Sequence, residues 1–184
     1  MIIGGSAGSL EVLLQVIPKL IDIKPFALIL VLHRKSSEDN TLEELIALKT
    51  ALPVKPVEDK TALIPGSIYI APADYHLLFE KDCTFALDIS EKIHYSRPSI
   101  DVAFESAAEV FGKTLVAILL SGANADGTRG LKAVKSHGGI AIVQDPATAE
   151  MPFMPQSAID GGAADRIMDV QQITTYIQSI ALKV

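Results

Sequence analysis

The segment Ala27-Leu-Ile-Leu-Val-Leu32 restricts the possible folds more than any other stretch of this chain. A strand with one face in water alternates apolar and polar residues. This run has no polar position, so both of its faces must be covered. Strands of that kind belong to parallel sheets packed between helices. Even extended to Phe26, the run is far too short to cross a bilayer, which takes about 20 apolar residues.

The remaining segments are compatible with such a sheet. Ile2–Ile3 ends a strand. After Gly4-Gly5-Ser6-Ala7-Gly8, the residues Leu10, Leu13, Leu14 and Ile17 follow a helical period, and Pro18 and Pro25 close that region. Thr41-Leu-Glu-Glu44 has the pattern of a capping box, with Leu42, Leu45 and Ile46 as the apolar face behind it. Between Pro53 and Tyr95 come short runs at Ser67–Ile70, His76–Phe79 and Thr84–Leu87, which predict β-structure with at least one hairpin or meander. Helical spacing returns at Ile100, Ala103, Phe104, Ala107 and Phe111, with Ser99 as N-cap. Thr114–Leu120 predicts a strand, Arg129–Ser136 a helix ended by Gly138-Gly139, and Ile140–Val143 another strand. Pro155 opens a short helix that stops at Gly161-Gly162. Asp169 and Gln172 are cap candidates for a last helix, with Val170, Ile173, Ile177 and Ile180 facing inward.

Alternating strands and helices predict an α/β fold, a mainly parallel sheet with helices on both faces. The 184 residues suit one domain and show no internal repeat or linker. Parallel sheets bind ligands beyond the carboxyl ends of their strands, so the loops beginning at Gly4, His33, Ser121 and Gln144 are where chemistry is expected. Composition narrows the partners. Acidic residues outnumber basic ones, 22 to 16, for a net charge of −6, which argues against nucleic-acid binding through phosphates. A single cysteine, Cys83, fits a reducing cytoplasmic setting. The N-terminus lacks the basic start and apolar stretch of a signal peptide.

Ser6 lies in a glycine-rich turn between strand and helix, where a serine is held away from the core and nearby N–H groups can face an oxyanion. The same loop also suits a phosphate site or a plain N-cap, and on its own it favours those readings. However, neither G-x-x-x-x-G-K-[ST] nor G-x-G-x-x-G is present. His33 ends the most apolar strand, which puts it on the same rim as Ser6. A neutral histidine there can take the serine proton. The other histidines, His76, His94 and His137, are read as structural. Ser121-Gly-Ala-Asn-Ala-Asp126-Gly127 follows a further apolar strand. Asp126 could orient His33, or could merely cap the next helix, and Asp145 is a competing carboxylate that position does not exclude.

Taken together, these motifs resemble the catalytic domain of the chemotaxis methylesterase family, CheB. The matching segments are Gly4-Gly-Ser6-Ala-Gly8, Leu32-His33, Gly66–His76, Arg97-Pro-Ser-Ile-Asp101, Ser121–Gly127, Gln144-Asp145 and Met154–Ile159, in order along essentially the whole chain. The resemblance implies a doubly wound, mostly parallel three-layer fold with a β-hairpin addition, and a Ser6–His33–Asp126 triad. The implied reaction is hydrolysis of glutamate γ-methyl esters on chemoreceptor helices, with glutamine deamidation as a further activity. It implies no metal and no organic cofactor, and no metal-ligand spacing is present. The implied partner is a methylated chemoreceptor. Longer family members add a receiver or methyltransferase domain; none is expected within these 184 residues, whether they stand alone or belong to a longer protein. Neither nucleic acid nor membrane insertion is expected.

Three positions depart from the family pattern: Ala7 where threonine is usual, Ala123 where methionine is usual, and Phe153 where glycine precedes the Met-Pro pair. Ala7, Ala123 and Met154 are the expected oxyanion or substrate-lining positions. The substitutions motivate an alternative, a non-catalytic docking module that retains the fold. Retention of Ser6, His33 and Asp126 in register favours the hydrolase. A nucleotide-binding domain is the weakest alternative, because the phosphate lysine is missing.

Overall fold

A computed structural model of the chain describes residues 1–34 and 41–182. Its strands are β1 (Ile2–Gly5), β2 (Leu28–Leu32), β3 (Val54–Pro56), β4 (Ile68–Ile70), β5 (His76–Phe79), β6 (Phe85–Asp88), β7 (Val116–Leu119), β8 (Ile140–Gln144) and β9 (Arg166–Met168). The helices are α1 (Ser9–Val16), α2 (Thr41–Ala47), α3 (Ile100–Phe111), α4 (Thr128–Ser136), α5 (Phe153–Asp160) and α6 (Val170–Ala181).

Seven strands form one sheet in the order β3-β4-β2-β1-β7-β8-β9, and every neighbouring pair is parallel. The β2 run lies inside it and is buried along its whole length. Its alternate residues serve opposite layers. Leu28, Leu30 and Leu32 pack with Leu13, Val16, Ile46, Ile173 and Ile177 under α1, α2 and α6. Ile29 and Val31 pack with Ile100, Phe104, Leu131 and Val134 under α3 and α4. That is the two-residue period of a strand shared by two apolar cores.

The region from Pro53 to Tyr95 divides differently from its sequence pattern. β3 and β4 join the parallel sheet, and among the described residues only β5 and β6 form an antiparallel hairpin. Three-residue strands are too short for alternation to show which partner they take. α5 begins at Phe153, so Pro155 sits inside its first turn. Ser99 caps α3 by accepting from the Val102 N–H, and Asp169 with Gln172 forms a complete capping box on α6. For the expected box at Thr41, the helix starts at Thr41 and the residues before it lie outside the described chain.

The chain runs from β1 toward one edge and from β7 toward the other, so these central neighbours mark the switch point. Open α/β sheets bind ligands beyond the carboxyl ends at such a point, where the loops after Gly5 and Leu119 lie.

Candidate active site

β1 and β2 are neighbours in register, Gly5 beside Leu32, and the His33 N–H donates to Gly5 O at 3.1 Å. Ser6 and His33 thus leave adjacent strands on the same rim. The Ser6 N–H donates to Ser121 O at 2.9 Å, which ties the nucleophile-candidate loop to the loop after β7. The Ser6 side chain makes no hydrogen bond among the described residues, to His33 or to any other group. Gly8 is in the left-handed region (φ 79°), and a Cβ there would come within 2.6 Å of Ser121 Oγ and Glu150 Cβ. Only glycine lets the loop turn so close to its neighbours.

Asp126 is fully buried, and its Oδ2 lies 2.8 Å from His33 Nε2. The carboxylate also sits at the start of α3. It accepts from Ile100 N–H at 2.7 Å, Asp101 N–H at 2.8 Å, Ser99 Oγ at 3.0 Å and Gly127 N–H at 3.0 Å. Burial pushes this carboxyl up. The bond to His33 and the N–H groups of Asp101 and Ile100 outweigh that push and hold it below the usual aspartate range. An ionised carboxylate only accepts, so the proton of a neutral His33 belongs on Nε2. Nδ1 is then the lone pair facing away from Asp126, and it has no partner among the described residues.

Asp145 does not reach His33. Its side chain caps the short turn Pro146–Thr148, accepting from Ala147 N–H at 2.9 Å. Of the flanking positions, Ala7 and Ala123 are exposed, and their N–H groups have no acceptor among the described residues. Met154 is fully buried and packs beneath Gly122, where a Cβ would strike its Cε at 2.5 Å. It shapes the loop from below and presents no surface to a ligand. Phe153 is 56% exposed at the head of α5.

Three supporting residues carry little sequence signal of their own. Ser121 is a buried junction. Its N–H donates to Gln144 Oε1, and its Oγ donates to Ala7 O and accepts from Met151 N–H. Asp101 Oδ1 accepts from Gly127 N–H at 2.9 Å and Gly130 N–H at 2.7 Å, gripping the start of α4. His76 is fully buried, accepts at Nδ1 from Ser99 N–H (3.1 Å), and bonds Glu91 O through Nε2 (3.0 Å). The structural reading of His76 holds, with the addition that it anchors the turn that caps Asp126. The segments Gly66–His76, Arg97-Pro-Ser-Ile-Asp101 and Ser121–Gly127 were the signs of this cluster in the sequence.

His94, Asp101 and Asp126 bring donor atoms within 4.8 Å of one another. Both Asp126 oxygens and Asp101 Oδ1 already accept hydrogen bonds, which leaves His94 and Asp101 Oδ2 as the uncommitted ligands, too few to hold an ion.

Fold and site define a class: a three-layer parallel α/β domain whose rim sets a serine beside a histidine held by a buried aspartate. Comparison with known proteins narrows it. The family model for CheB methylesterase matches residues 1–177. A candidate protein-glutamate methylesterase/protein-glutamine glutaminase of Leptospira interrogans is 39% identical over 94% of this chain and 90% of its own length. The corresponding Thermotoga maritima protein is 34% identical over 94% of this chain but 51% of its own length. The crystal structure of the Thermotoga maritima CheB methylesterase catalytic domain superposes with a TM-score of 0.89 and 32% identity, covering 97% of this chain and 96% of that one. The chain belongs to the CheB methylesterase family. Among the described residues no helix is long and apolar enough to cross a membrane.

Proposed function

We propose that this domain hydrolyses glutamate γ-methyl esters on chemoreceptor helices, releasing methanol, with Ser6, His33 and Asp126 as the catalytic group. The observation that carries the reading is the 2.8 Å contact between His33 and a fully buried, N–H-saturated Asp126, one strand away from an unbonded Ser6 hydroxyl. The names of the relatives, protein-glutamate methylesterase/protein-glutamine glutaminase, supply the substrate class and make the glutamine side chain a second substrate.

In this reading His33 Nδ1 takes the Ser6 proton as Oγ attacks the ester carbonyl, and Asp126 stabilises the imidazolium. The unbonded N–H groups of Ala7 and Ala123 are the candidate donors to the oxyanion. His33 then gives the proton to the departing methoxide. Water, deprotonated by the same imidazole, cleaves the acyl-enzyme to free glutamate. The attacks by Ser6 and by water both need a neutral His33 to accept a proton, whereas methoxide departure needs the imidazolium to donate one. The partner is a methylated receptor, with a receiver or methyltransferase domain in longer proteins, and the setting is the cytoplasm.

The test is methanol release from a methylated receptor. Ser6→Ala is expected to leave only background hydrolysis with an unchanged circular dichroism spectrum. Full activity in that variant would remove Ser6 as nucleophile. A folded wild type that is silent on several methylated substrates would favour the docking module instead.

A further inference from the structure

His33 opens onto a cleft of about 390 Å³, lined also by Arg34, Asp74, Lys92, Tyr95, Ser96 and Arg97. Three cations and one carboxylate line it, in a chain whose net charge is −6. Arg34 is neutralised by Glu43 at 2.9 Å. Lys92 and Arg97 meet no carboxylate among the described residues. Arg97 instead donates from Nη1 to Ile89 O at 2.6 Å and Ser90 O at 2.7 Å, so its guanidinium is fixed in place with its charge uncompensated.

A second observation falls on the same wall. Ile93 and Ser96 exchange backbone hydrogen bonds of 3.2 and 2.9 Å around His94 and Tyr95, which lie at φ 49° and 61°. A turn with both central residues at positive φ normally takes Asn-Gly or Gly-Gly, because a Cβ is disfavoured there. Here the strained turn holds a tyrosine 98% exposed, where it adds nothing to the core. Strain without a packing return points to use at a binding surface.

We infer that this turn and its neighbouring cations form a docking wall for an acidic segment of the substrate protein. Substrate carboxylates meet Lys92 and Arg97, and the Tyr95 ring lies against the segment's apolar side chains. The inference rests on the proposed function in one respect, that the scissile ester reaches His33 through this cleft.

Binding can be tested without turnover. The Ser6→Ala domain is titrated into a fluorescein-labelled peptide carrying one glutamate methyl ester flanked by glutamates, and into the same peptide with glutamines there. The acidic peptide is expected to bind several-fold tighter, to lose that advantage as salt rises, and to lose it in Lys92→Glu. Tyr95→Gly should weaken binding of both peptides without lowering the thermal midpoint, since glycine adopts the turn freely. Equal binding of the two peptides, or binding unchanged in both variants, would overturn the docking wall. Hydrolysis of p-nitrophenyl acetate by the wild-type domain is scored separately. Its absence would count against the hydrolase, while the binding result still decides for or against the wall.

Discussion

Asp101 and Asp126 are buried alike and stand in each other's helix starts, yet their protons are driven opposite ways. Asp126, just before α4, takes N–H groups at the start of α3, while Asp101, in the first turn of α3, takes N–H groups at the start of α4. Asp126 is held below the usual range against its burial by His33 and two backbone donors. Asp101 is raised, first by burial and then by the charge of Asp126, with the Gly130 N–H opposing. Burial by itself therefore does not say which carboxylate stays charged. The donors aimed at each oxygen do. Among the described residues, Asp126 has donors on both oxygens and a histidine, whereas Asp101 has its donors on Oδ1 and only His94, at 3.8 Å, near Oδ2.

The strongest way to break this comparison is to give both positions the same neutral side chain. Asp126→Asn should lower methanol release by an order of 10⁴, the loss known when the corresponding aspartate of a serine protease is changed, because the amide favours the wrong imidazole tautomer. It should also destabilise the domain by about 1–3 kcal/mol in urea unfolding. Asparagine matches aspartate in shape, but its NH₂ would face another donor, whichever of the two oxygens it replaced.

Ser99→Ala comes next. It removes the α3 cap and one donor to Asp126, so a loss of about 1 kcal/mol is expected, along with acid unfolding that begins at higher pH. Ser99→Thr keeps the hydroxyl and should restore both. A purely local capping role would leave the onset of acid unfolding where it was once stability is matched.

Asp101→Asn should have the smallest effect. Its amide oxygen can still accept from Gly127 and Gly130, and the charge it removes is one the fold disfavours. Stability at neutral pH should hold or rise, by about 1 kcal/mol at most. The two carboxylates also predict opposite pH dependences. The contribution of Asp126 is present in full above the unfolded aspartate value, about 3.9, and is lost as pH falls through its lower folded value. That of Asp101 is present in full below about 3.9 and is lost as pH rises through its raised value. Urea midpoints of the two variants against pH should therefore diverge from wild type in opposite directions. Parallel curves would sink the comparison.

Much of this architecture is legible in the sequence. The β2 run implied a covered strand because it has no polar position for either face to show to water, and the alternation of strands with helices made that strand parallel. Ser99, Asp169 and Gln172 announced their caps because capping is a contact between near neighbours in sequence. His33 could be placed on the same rim as Ser6 from its position at a strand end.

The sequence by itself thus determined the layers, most element positions and the rim shared by Ser6 and His33. Its motifs carried the resemblance to a known family. Only the tertiary structure decided the choices that turn on distant segments. Asp126 and Asp145 follow neighbouring strands with equal local credentials, and the contact that separates them spans 93 residues to His33. β4 entered the main sheet because β2 offered it a partner, and β3 in turn paired with β4, which three residues cannot reveal by period. The ionisation of Asp126 and Asp101 depends on where N–H groups from another helix point, and no local pattern encodes that direction.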